Sequence, residues 1–183
     1  MKTKELTLCA FMCVLYILGS KIVIPAGIIP LTLQTMMVIL AGLLLTPKQV
    51  FISYSLFLGM GIIGFPVFAS GGGIAYVLQP SFGFLLSFPI AAGLISFLRR
   101  KLHLHSYHTL FPLCMLGLIL IYILGCLYMY GILNFYMGLG KSMGAVIAAG
   151  ALPFIISDTL SIALASFVAL RLNQIPVIQR SRS

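Results

Sequence analysis

Carboxylates are almost missing from this chain: among 183 residues only Glu5 and Asp158 are acidic. Chemistry that needs paired acids, one donating a proton and one accepting it, has no basis here. No phosphate-cradling P-loop and no Gly-x-Ser-x-Gly nucleophile elbow occurs either. Energy from nucleotide hydrolysis would have to come from another subunit. Cys9, Cys13, Cys114 and Cys126 all lie inside apolar runs without metal-ligand spacing, and read as small buried apolar side chains. His103, His105 and His108 follow the basic run Arg99-Arg100-Lys101 with no cysteine or carboxylate beside them. They read as a solvated loop at the membrane surface, not as a metal site. No cofactor and no metal is expected.

What fills the chain instead is hydrocarbon. Hydrophobic residues make up 61% and charged ones only 7%, with a mean hydropathy of +1.18. A soluble domain of this size would aggregate through such a surface. Repeated runs of roughly 20 apolar residues define a polytopic helical membrane protein. These runs continue along the whole chain, so a cleaved signal peptide is a poor account of its start. One membrane domain, 1–183, is expected, with spans near 6–24, 31–45, 50–63, 82–98, 110–133 and 153–172. The stretch 145–151 is too short to span, and Pro153 fits the first position of the last helix.

The net charge of +9 does not point to nucleic acid, because the basic residues sit between hydrophobic runs and orient the chain in the bilayer. Six spans put Lys2, Lys4, Lys48, Arg99, Arg100, Lys101, Arg171, Arg180 and Arg182 on one side, and Lys21 and Lys141 on the other. The positive-inside rule makes the first group cytoplasmic, together with both termini. Three unusual connections then share the outer side: Ile24–Thr35, Pro66–Phe84 and Asn134–Pro153.

The second of these, PVFASGGGIAYVLQPSFGF, is uncharged yet cannot be one transmembrane helix. Gly71, Gly72 and Gly73 each cost about 1 kcal/mol relative to alanine in a helix. Irregular apolar backbone near the membrane is tolerated where protein buries it or where it lines a cavity. It is one wall of a small-molecule pocket or a flexible connection. Thr32, Gln34 and Thr35 open the second span and either cap it or face a ligand. Asp158 lies in the early turns of the last span, level with the outer connections. A carboxylate at membrane depth is costly and by default functional. It can accept two N–H donors from a neutral ureido or amide group.

Three segments in order, IPLTLQTMMVILAG (29–42), GIIGFPVFASGGGIAYVLQPSFGFLLSF (61–88) and ALPFIISDTLSIALA (151–165), closely resemble the BioY family. These are the biotin-binding S components of energy-coupling factor (ECF) transporters. The resemblance implies an all-α fold of six transmembrane helices, with a kinked Gly-rich outer loop between helices 3 and 4. It implies biotin capture near the outer face, and docking onto a transmembrane coupling subunit and two ATPase subunits that use ATP. Asp158 matches the family's acid for the ring system of biotin. Gly71, Gly72, Gly73, Pro80, Ser81, Gly83 and Phe84 match its pocket wall, and Gln34 and Ser161 join the candidate binding set. Cys9, Ala10 and Cys13 on helix 1 would face the coupling subunit, with Val14 standing where a second alanine is expected. The family often carries lysine where this chain has Ser161, and asparagine where it has Gly71. Serine cannot neutralise a carboxylate, so the biotin tail needs another partner or the ligand is a related compound.

The expected function is substrate capture for biotin uptake at the cell membrane, without enzymatic activity. An S component for another vitamin and a stand-alone biotin facilitator are the alternatives. A membrane enzyme joining Asp158 to a histidine is a remote one, since the charge pattern puts those groups on opposite faces.

Overall fold

The computed structural model describes residues 3–24, 29 and 31–173. Lys2, Arg180 and Arg182, used above to orient the chain, lie outside the described residues, as does part of the Ile24–Thr35 connection. Helix α1 spans Thr3–Lys21, α2 Gln34–Leu44, α3 Pro47–Ile63, α4 Phe82–Lys101, α5 Tyr107–Gly131, α6 Met143–Gly150 and α7 Ile155–Asn173. A two-residue antiparallel pair, β1 (Val23–Ile24) with β2 (Leu31–Thr32), joins α1 to α2.

Among the described residues, four helical stretches are long and apolar enough to cross a membrane: Thr3–Lys21, Phe82–Lys101, Tyr107–Tyr136 and Met143–Leu172. The 11-residue α2 is apolar but rises only about 16 Å at 1.5 Å per residue, about half of a hydrocarbon core. It can be short because it is the most enclosed helix, packed by α1, α4 and α7. The six-helix arrangement thus holds with α2 as an internal strut and α6 as a short extra helix.

Several boundaries differ from the sequence expectation, each for a local reason. Helix α1 stops at Lys21 instead of Ile24, because Val23 and Ile24 pair with Thr32 and Leu31. Helix α3 starts three residues early, at Pro47, where Thr46 and Gln49 form a reciprocal capping box. The expected break at Asn134 is not there: wide π-type turns carry α5 on through Ile132–Tyr136. Pro153 sits in a 3₁₀ turn, Leu152–Phe154, and α7 begins after it.

Two apolar cores stack along the bundle. One gathers Tyr16, Tyr54, Phe57, Phe68, Tyr76 and Phe82 near the Pro66–Phe84 loop. The other gathers Ile39, Leu43, Ile95, Leu110, Ile162 and Ala165 toward the opposite end. Glycines let α4 and α5 meet closely: a Cβ on Gly83 would lie 2.2 Å from Tyr128, and one on Gly125 2.4 Å from Phe84. On the far side of α5, Leu116, Ile119, Ile123 and Leu127 form an exposed apolar stripe suited to lipid.

Candidate ligand-binding site

At the loop end of the bundle a cavity opens between α2, α4, α5, α7 and the irregular connections. It encloses about 560 Å³ of empty space, its open mouth included. The walls are mostly apolar and aromatic, with Phe84, Phe88, Ile121, Phe154 and Tyr76 among them. Polar groups are few: Thr32, Gln34, Thr35, Ser81, Tyr122 and Asp158.

Asp158 is in the first turn of α7, where the helix dipole favours negative charge, and its side chain is buried. The Tyr122 hydroxyl, from the middle of α5, donates to Asp158 Oδ2 at 2.8 Å. The Thr35 hydroxyl of α2 interacts with the same carboxylate. A carboxylate has about four lone-pair sites, so these two partners leave room for two further donors from a ligand. Gln34 is fixed separately, its amide donating to Tyr54 Oη at 3.2 Å, which leaves the amide oxygen as an acceptor at the cavity wall.

The Pro66–Phe84 connection contributes the opposite wall, though not through its glycines. Phe68 and Gly71 exchange backbone hydrogen bonds of 2.9 and 3.2 Å, closing a tight turn whose first central residue, Ala69, lines the cavity. Gly71 (φ 122°) and Gly73 (φ 107°) occupy the left-handed region, and Gly73 N donates to Gly61 O at 2.7 Å. A Cβ on Gly72 would stand 2.1 Å from the Phe65 carbonyl oxygen. The three glycines therefore shape the loop and do not face the cavity themselves. A 3₁₀ turn, Ile74–Leu78, then delivers Tyr76 to the wall.

Of the residues proposed from sequence, Asp158, Gln34, Ser81 and Phe84 line this cavity. Gly71, Gly72, Gly73, Pro80, Gly83 and Ser161 do not. Gly83 faces Tyr128 across the α4–α5 contact, and Ser161 is buried within the bundle. On α1, Cys9 and Cys13 are buried inside the chain, with Cys9 Sγ 3.7 Å from Gln49 O, so neither offers a docking surface. Ala10 is exposed, in line with exposed Leu6, Val14 and Leu18 at four-residue intervals. Tyr122 is the residue that sequence reading missed. Its signal was a phenol hydroxyl inside the apolar run GLILIYILG, a polar handle that wants a partner once buried.

Fold and cavity together define a multi-pass helical membrane protein with a small, mostly apolar binding chamber near one membrane face. Comparison with known proteins makes this specific. The BioY family model matches residues 1–176, and the chain belongs to that family. A "probable biotin transporter BioY" of Pyrococcus horikoshii is 38% identical over 174 residues, covering 94% of this chain and 98% of the relative. One of the same description from Lysinibacillus sphaericus is 34% identical over 173 residues, covering 94% and 88%. The crystal structure of the S component for biotin from an ECF-type ABC transporter superposes with a TM-score of 0.84 at 29% identity. That match covers 95% of this chain and 93% of the other.

Proposed function

We infer that this chain is the substrate-capture subunit of a biotin uptake transporter, an S component that takes the vitamin into the cavity beside Asp158. Family membership makes it a transport protein and not an enzyme. The observation that carries the ligand assignment is the buried Asp158 carboxylate, oriented by Tyr122 and left with acceptor sites in an otherwise apolar chamber. Biotin's fused ring presents a cyclic urea with two N–H donors on a hydrocarbon body, the complement of that arrangement. Gln34, Thr35 and Ser81 supply the remaining polar contacts, while Phe84, Phe88 and Phe154 cover the apolar ring faces.

The cavity opens outward in this reading. Lys4, Lys48, Arg99, Arg100, Lys101 and Arg171 lie at the end of the bundle away from the cavity, and Lys21 and Lys141 at the cavity end. The positive-inside rule makes the first end cytoplasmic, and both termini with it. Energy from nucleotide hydrolysis for release inward would come from a coupling subunit and two ATPase subunits, because this chain carries no nucleotide-binding motif of its own. The exposed stripe Leu6, Ala10, Val14 and Leu18 on α1 is the surface offered to the coupling subunit, in place of the buried Cys9 and Cys13.

Calorimetric titration of the purified chain with biotin tests the reading, alongside the Asp158→Asn variant. Asparagine keeps the shape and an acceptor for Tyr122 but loses the charge. Hydrogen bonds to charged groups contribute about 1.5–3 kcal/mol, so biotin binding should weaken at least about tenfold. Unchanged affinity in the variant removes Asp158 from the site. A wild type that ignores biotin and binds another vitamin replaces the ligand.

A further inference from the structure

An acid at the heart of the cavity creates a problem for a ligand that is itself an acid. Biotin ends in a carboxylate, and a second negative charge beside Asp158 would be repelled in a chamber with few polar groups. The ring must therefore occupy the Asp158 end, and the tail must run toward the mouth and meet a cation there. Among the described residues, no lysine, arginine or histidine lines the cavity. Ser161, three residues beyond Asp158 on α7, is buried away from it and uncharged. Among the described residues, two lysines belong to this end of the bundle, Lys21 and Lys141.

We propose that Lys21 is the specificity-determining cation of the cavity mouth, pairing with the carboxylate of the bound vitamin; this rests on the biotin reading above. Three observations place its ammonium at the rim. Lys21 Nζ donates to the Phe68 carbonyl at 2.7 Å, and the adjoining residue, Ala69, lines the cavity. The neighbouring Ser20 hydroxyl donates to Val67 O, so two consecutive residues of α1 grip the same loop. Lys21 also leads into β1, whose Val23 pairs with Thr32, another lining residue. An ammonium has three donors, and Phe68 takes one. The side chain is solvent-exposed at its helix end, so its remaining donors can turn to an anion arriving from outside. Lys141 is a weaker candidate: it is exposed in the connection before α6, where its backbone is tied to Asn134.

Binding of biotin and of biotinamide, the neutral amide of the same molecule, to the purified full chain tests this assignment. Wild type should prefer biotin. Lys21→Gln should lose about tenfold in biotin affinity, as expected for one charge-assisted contact at a solvated rim, while biotinamide changes less than about twofold. Lys21→Arg should keep the preference, and Lys141→Gln should leave both ligands unaffected. Equal losses for the two ligands in Lys21→Gln would show a lysine that only holds the loop, and overturn the assignment. So would unchanged biotin affinity, or a preference that disappears in Lys141→Gln instead. A wild type that binds neither ligand fails at the earlier step, the biotin reading itself, and is distinguishable from all of these.

Discussion

The proposed recognition role of Asp158 rests on what surrounds it, and Tyr122 is the part of that surrounding most open to test. The phenol reaches from α5 to α7 and fixes one carboxylate oxygen at 2.8 Å. In Tyr122→Phe the ring still fills the wall, but the carboxylate loses a donor and keeps only the Thr35 hydroxyl. A hydrogen bond to a charged group removed in this way costs about 1.5–3 kcal/mol. The loss falls on the free protein and on the complex together, so only part of it appears in affinity. Biotin should bind about three- to tenfold more weakly in Tyr122→Phe, less than the loss in Asp158→Asn, and the thermal midpoint should drop by a few degrees. Titration and a thermal melt on the same preparation check both. Full wild-type affinity would mean that the tyrosine is a wall and not an orienting group.

At the scale of elements, the Pro66–Phe84 connection shows what sequence reading could and could not reach. Three glycines between prolines announced irregular backbone near the membrane, and that is what the chain forms. The glycines were also read as the ligand's wall, whereas it is Ala69 and Tyr76 of this loop that line the cavity. A glycine run has two uses, close approach to a ligand and positive φ, and composition does not separate them. Here Gly71 and Gly73 use positive φ, while Gly72 is pressed against Phe65. The faces of α1 were misread for a related reason, since Cys9 and Cys13 suit contact with α3 as well as contact with a partner. Asp158 was legible because a lone acid in hydrocarbon needs an explanation by itself. Tyr122 was not, because its partner lies 36 residues away on another helix. The loop's own prediction follows from the 2.1 Å approach at Gly72, where the obstacle is backbone and cannot rotate aside. Gly72→Ala should displace the turn that carries Ala69, weakening biotin binding by about tenfold or more and lowering stability by about 1–3 kcal/mol. Gly59→Ala, on α3 with open space around it, should be neutral or slightly stabilising. If the two variants titrate alike, the loop does not shape the cavity.

For the whole molecule, the direction in which the cavity faces decides whether it captures or releases. The fold links orientation to one continuous element. From Tyr107 to Tyr136 the chain is helical throughout, 30 residues that rise about 45 Å and exceed the hydrocarbon thickness of a bilayer. His105 precedes that element and Ser142 follows it, both are exposed, and so they belong to opposite faces of the membrane. The cavity lies at the Ser142 end, because α6 and the start of α7 follow directly and Gly150, Phe154 and Asp158 line it. Cysteine labelling is well suited to this chain, since Cys9, Cys13, Cys114 and Cys126 are all buried and should react slowly. With an impermeant maleimide on intact cells, Ser142→Cys should label and His105→Cys should not. Permeabilising the cells should bring His105→Cys to the same level. In the proposed orientation the basic residues at the His105 end, Arg99, Arg100 and Lys101, face the cytoplasm, as the positive-inside rule requires. The reverse pattern would turn the cavity toward the cytosol and remove outward capture from the mechanism. Labelling of both sites from outside would break the single passage of α5, and with it the separation of Asp158 from the histidines.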